Sequence, residues 1–222
     1  MPLNRIGREV NSVLSFPNNQ YKADAGSVDA RTKRVLVLAY SQTGQLTRIV
    51  DSMLAPLRQD PTIAVHVEVL RPRAPYPFPW PIFSFFDAFP ESAHLVGPEL
   101  EPLTLTGDED FDLVILPYQV WFLAPSLPIT AFLQHPVAQR VLRGKPVVTV
   151  VACRNMWMLA QEKMMQMLAA CGARLIDNVV LTDPSPTLVT LVTTPWWLLT
   201  GHKVFLGCPP AGIDDLLIAR TE

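Results

Sequence analysis

Hydroxyl residues and a glycine at the end of an apolar run are the residues of this chain whose spacing could hold an anion. Val35-Leu36-Val37-Leu38-Ala39 stops at Tyr40 and passes into Ser41, Gln42, Thr43, Gly44, Gln45, Leu46 and Thr47. Ile49, Val50, Met53, Leu54 and Leu57 then recur at helical intervals. The reading is strand, tight loop, helix. Such a loop presents backbone N–H groups and hydroxyls at a helix N-terminus, which binds anions. One glycine among several hydroxyls suits a terminal phosphate monoester better than a pyrophosphate. The spacing is neither GxGxxG nor GxxxxGK[ST], so the dinucleotide fingerprint and the P-loop are excluded.

Other chemistry is sparse. The three cysteines, Cys153, Cys171 and Cys208, form no CxxC, and with four scattered histidines they give no metal-ligand spacing. An odd cysteine count without a secretory leader points to a reducing cytoplasm. A net charge of −2 provides no basic surface for nucleic acid. With 222 residues, 49% of them apolar, the chain fits one α/β domain with extensions.

The elements that must position the loop follow in order. Ile63 to Leu70 alternates apolar and polar residues, as a half-exposed edge strand does. Residues 71–110 form an insert far longer than an ordinary connection. Its centre, Pro75 to Pro90, alternates proline with aromatic residues, a pattern that forbids a helix and disfavours a ladder. So many aromatic rings must pack on the fold or line a cavity. Asp112 to Pro117 reads as a buried strand ending in a polar and aromatic loop, Tyr118 to Ser126, with a short helix from Leu127 to Leu133. Pro146 to Val151 is the next buried strand, ending in Ala152-Cys153-Arg154-Asn155. A Met-rich helix runs from about Trp157 to Ala170 and stops at Gly172, and Ala173 to Leu181 is the last strand. Strands this apolar in this order imply a parallel sheet covered on both faces, with its ligand beyond the carboxyl ends of the strands. Three loops converge there: Ser41–Thr47, Tyr118–Ser126 and Ala152–Trp157. The chain thus divides into an N-terminal arm (1–33), the α/β domain (34–183) and an apolar C-terminal tail (184–222). The tail is too short and too hydroxylated to span a membrane. Its open uses are docking on the domain, forming a homodimer, or peripheral contact with a membrane, where paired tryptophans are common.

Ser41-Gln42-Thr43-Gly44 resembles the phosphate loop of the flavodoxin-like fold, Ser/Thr-x-Thr-Gly-x-Thr. The final Thr of that pattern falls at Leu46 here, and the hydroxyl is one place later, at Thr47. The resemblance implies a doubly wound five-stranded parallel sheet in the order 2-1-3-4-5, with the insert after the second strand. It implies FMN as cofactor, its phosphate on Ser41 to Thr47. The ring would lie between the loop of Tyr118, Gln119, Val120, Trp121 and Phe122 and the loop of Cys153, Arg154 and Asn155. Tyr118 and Trp121 stand where stacking aromatics are found, and Arg154 could support negative charge on the reduced ring. More narrowly, residues 40–47 with Pro75 to Trp80 and Phe86 to Ser92 look like a bacterial group of dialkylresorcinol condensing enzymes. In that group the flavodoxin-like component is implied to be the aromatase, oxidising a dialkyl-cyclohexanedione to the resorcinol.

The expectation is therefore an FMN-dependent oxidoreductase on an apolar small molecule, in the cytoplasm or associated with a membrane. Tyr118, Asp87 and His94 are the candidate bases for proton removal. Two rivals remain: an electron-transfer flavodoxin, against which the small net charge and bulky insert count, and an interaction protein without flavin.

Overall fold

A strand segment buried on both sides must be apolar, as Val35 to Leu38 are within Lys33–Ala39 (β1). Leu36 and Leu38 enter one core cluster, while Val35 and Val37 enter the other, across the sheet. The computed structural model describes residues 31–213 and Ile218. The arm expected over residues 1–33 lies outside the described residues except for its last three. The tail expected over 184–222 is described to residue 213 and at Ile218.

After β1 come α1 (Gln45–Gln59), β2 (Ile63–Val69), α2 (Ile82–His94), β3 (Leu113–Trp121), β4 (Ala124–Pro125), α3 (Leu127–Gln134) and α4 (Pro136–Leu142). Then follow β5 (Pro146–Cys153), α5 (Met158–Ala170), β6 (Arg174–Thr182) and α6 (Thr187–Thr200). Parallel ladders join the strands in the order β2-β1-β3-β5-β6. The two-residue β4 folds back on the tip of β3 as a hairpin. Counted over the five long strands, this is the expected flavodoxin-like order.

Helices cover both faces. Leu46, Ile49, Val50 and Leu54 of α1 recur at i, i+3, i+4 and i+8 and are buried with Val35 and Val37. Each such side chain contributes roughly 1.5–3 kcal/mol of burial. On the other face α3, α4 and α5 bury Phe132, Val141 and Met164 against Leu36, Leu116 and Val147. Gly172 ends α5 as expected, with φ 71°, and the Ala173 N–H donates to the Leu168 carbonyl at 2.9 Å, closing a Schellman turn.

Three expectations need correction. First, the insert does contain a helix. Its dense prolines end at Pro81, which caps α2, and only Pro90 falls inside the helix. Second, Tyr118 to Trp121 continue strand β3 instead of forming a loop. The turn comes later, at Phe122 and Leu123. Third, the polar face of β2 is not uniformly outward. Glu68 is only 1% exposed, because residue Thr104 on the return of the insert donates to it from both backbone N–H (3.1 Å) and hydroxyl. Val67 and Val69 are left exposed instead.

Candidate functional site

The carboxyl ends of β1, β3 and β5 open into a cavity of about 410 Å³. Gln42, Thr43, Gln45 and Leu46 line it from the first loop, Gln119 to Leu123 from the β3 hairpin, and Ala152 to Arg154 from β5. The convergence expected of three loops is thus observed, although the middle contribution comes from a strand end and its turn.

The first loop leaves the start of α1 open. Gly44 stands at the N-cap of α1 in the left-handed conformation (φ 77°), and a Cβ added there would meet nothing within 4 Å. No side chain caps α1, and its first turn holds no acidic residue. The Gln45 N–H reaches the Thr43 hydroxyl only at 3.5 Å. The helix end therefore keeps donors and positive potential aimed at the cavity.

The middle wall holds an orphan. Gln119 donates through Nε2 to the Ser41 hydroxyl at 3.5 Å, but its buried Oε1 accepts from no described residue. A buried amide oxygen without a donor costs roughly 1–3 kcal/mol. Next to it, Trp121 is 7% exposed and held by Tyr76 and Trp80 (both 4.9 Å between ring centroids) and by Tyr40 (5.9 Å). The insert supplies two of these rings, and Trp80 and Phe85 themselves line the cavity. The insert therefore both packs and lines.

The turn after Trp121 carries a cost. Phe122 (φ 47°) and Leu123 (φ 60°) both occupy left-handed backbone that a two-residue hairpin ordinarily reserves for Asn and Gly. Each bulky residue there costs roughly 1–2 kcal/mol. Phe122 is held in place by Phe85 (4.9 Å) and Phe89 (5.3 Å) of α2, so insert and hairpin fix one another at the cavity wall.

The C-terminal tail closes the remaining side. Trp197 and Leu198 of α6 line the cavity with Gly212 and Ile213. Gln45 donates to the Ile213 carbonyl (3.0 Å) and accepts from its N–H (3.2 Å). Asp183 accepts from Gly212 N–H at 2.8 Å and Ser185 N–H at 2.9 Å. Docking on the domain is thus one use of this tail.

Not every expected residue reaches the cavity. Ser41 and Thr47 line a separate groove of about 600 Å³ between α1 and β2, and Leu46 borders both. Asn155 does not line the cavity. Tyr118 is fully buried on the opposite face of β3, donating to Gln161 Oε1 at 2.7 Å. Burial, then the nearby Cys153, pushes its phenol pKa up, and it does not line the cavity. Asp87 and His94 lie exposed on α2, outside the cavity lining. None of the three expected bases lines the cavity. Among the described lining residues the ionisable side chains are Cys153, Arg154 and Asp183. Burial pushes the Cys153 thiol up to about 12 against the opposing pull of Arg154. Burial also lowers the Arg154 pKa, yet an arginine stays charged, and its Nη2 donates to Met156 Sδ at 3.3 Å. Asp183 is the carboxylate that the sequence did not single out. It sits one residue past β6 in no motif, and only the fold brings it to the loops.

No protein-family model matches this chain, and no curated protein does. Among solved structures, a flavoprotein from Lactobacillus acidophilus in complex with FMN aligns at 14% identity and a TM-score of 0.52, over 67% of this chain and 93% of that one. A flavoprotein from Bacteroides eggerthii aligns at 15% identity and a TM-score of 0.50, over 68% of this chain and 89% of that one. At such identities the likeness is one of fold.

Proposed function

We propose that this chain is an FMN-dependent oxidoreductase acting on an apolar ring compound. The observation that carries the reading is that one 410 Å³ cavity joins an uncapped helix N-terminus, an orphaned amide oxygen and an aromatic wall. FMN has a part for each. Its phosphate suits the N–H groups at the start of α1, and a ring N–H or ribityl hydroxyl suits Gln119 Oε1. The FMN-bound structural neighbour supports the same choice.

When bound, FMN supplies two-electron, hydride-accepting chemistry. The protein's share is binding, orientation and exclusion of water. Gln45 and Leu46, which line the cavity at the start of α1, offer backbone donors to the phosphate. The charge of Arg154 favours an electron-rich ring beside it. Trp80, Phe85 and Trp121 present an apolar wall that selects a hydrophobic substrate. Asp183, the one carboxylate among the described lining residues, accepts the proton released as the substrate carbon gives up hydride. The resemblance of the loop and insert to the dialkylresorcinol group makes a dialkyl-cyclohexanedione the substrate of choice, with ring aromatisation driving the step. A pure electron carrier would be served by a strongly acidic face for steering, whereas this chain has a net charge of −2.

Purified protein titrated with FMN should quench flavin fluorescence. Anaerobic addition of an alkyl-substituted cyclohexane-1,3-dione should then bleach the flavin band. FMN binding without bleaching, together with rapid electron exchange with a redox protein, would instead identify a carrier.

A further inference from the structure

The alternation of β2 does not stop where the strand does. From residue 67 to 73 every second side chain is buried: Glu68 at 1%, Leu70 at 2%, then Pro72. Val67, Val69, Arg71 and Arg73 therefore share the other side. Backbone bonds hold this run extended. The Leu70 N–H donates to the Ala39 carbonyl (2.9 Å), the Arg73 N–H to the Glu99 carbonyl (2.9 Å) and the Glu101 N–H to the Arg71 carbonyl (2.7 Å). Two valines and then two arginines stand in file on one face, over roughly 20 Å at about 3.3 Å per residue.

That face is the one α1 covers. Ile63 and Val65, earlier in the same file, pack against the α1 cluster. Val67 and Val69, further along, are left 37% and 43% exposed. An apolar side chain on the helix-covered face of a parallel sheet is ordinarily buried. These two instead line the groove of about 600 Å³ between α1 and β2, together with Leu46, Val50 and Leu54 of α1. The groove meets the aromatic cavity only at Leu46. Its volume lies in the range of small-molecule sites, roughly 300–1,000 Å³.

The charges around the groove are unequal. Arg58, Arg71 and Arg73 line it against Asp51 and Glu101, an excess of one positive charge. Arg58 is paired with Asp51 and Arg73 with Glu99, each at 3.1 Å. Arg71, which follows Val69 in the file, pairs with no carboxylate among the described residues.

We propose that this groove binds an aliphatic carboxylate, with its chain along Val67 and Val69 against α1 and its head on Arg71. A guanidinium takes a carboxylate through two parallel N–H···O bonds, and the valines and leucines remove the chain from water. One negative charge matches the one unpaired guanidinium. A dianionic head would bring a second negative charge to a groove that already holds Asp51 and Glu101. The site is separate from the cavity assigned to flavin and stands whether or not that cavity binds it.

Calorimetric titration of the full chain with sodium decanoate, below its micelle concentration, tests the proposal. About one equivalent should bind, and decyltrimethylammonium, with the same chain and the opposite charge, should bind at least tenfold more weakly. Arg71→Gln should weaken decanoate roughly tenfold or more. Val69→Asp, at the apolar end, should do the same while circular dichroism and Tm stay those of the parent. Three results would overturn the proposal. One is no binding of decanoate by the unaltered chain. Another is unchanged affinity in Arg71→Gln. The third is displacement of decanoate by FMN, which would put the chain in the aromatic cavity instead.

Discussion

Gln119 is the residue on which the flavin reading is most exposed to test. Its Oε1 is buried at the cavity without a donor among the described residues. Gln119→Met keeps the length and removes the acceptor. The variant without ligand should be as stable as the parent or more so, by up to about 1 kcal/mol, because an unsatisfied group is lost. FMN affinity should fall by roughly tenfold, the worth of one hydrogen bond. Tm and a fluorescence titration read both effects, and a loss of stability with unchanged affinity would mean that Gln119 serves the fold alone. Cys153 gives a second test. Burial raises its pKa from 9.0 to about 12, so the thiolate appears only as pH climbs towards 12. At pH 8 it should be alkylated by iodoacetamide much more slowly than an ordinary thiol, measured with Cys171 and Cys208 both changed to Ser. For Asp183, Asp183→Asn keeps an oxygen to accept from Gly212 or Ser185 and removes the base. Turnover should fall about a hundredfold or more while FMN affinity stays within about threefold.

At the scale of elements, the β3 hairpin turn stores strain that its sequence does not relieve. Leu123→Gly permits the left-handed backbone and should stabilise the fold by about 0.5–1 kcal/mol, seen as a Tm rise of a few degrees. A fall in Tm would show that packing of Leu123 outweighs its backbone cost. The inner strands β1, β3 and β5 could be read from the sequence because parallel strands buried on both faces have no choice but to be apolar, and the edge strand β2 from its alternation. The hairpin could not be read, because Phe-Leu carries none of the usual turn chemistry and is held by contacts from α2, some thirty residues earlier in the chain. The insert helix was hidden for a different reason. Proline density argues against a helix only where the prolines stand, and the helix begins once they stop at Pro81.

For the whole molecule, the site is the common boundary of three parts that lie far apart in the chain. The first loop, with its displaced Thr47, marked a candidate anion site in the sequence, but not that Thr47 faces a different groove. Nor did it show that the tail completes the cavity through Gln45, Asp183 and Ile213, since those bonds span up to 168 residues of sequence. Insert and tail leave apolar residues outward while they wall the cavity. The central claim is that this cavity binds FMN and passes substrate electrons to it, and anaerobic titration of the FMN-loaded protein with an alkyl-substituted cyclohexane-1,3-dione tests it most directly. Stoichiometric bleaching of the flavin band with appearance of the resorcinol is the predicted result. Protein that binds no FMN, or that binds it and keeps its flavin band unchanged through the titration, would contradict the account.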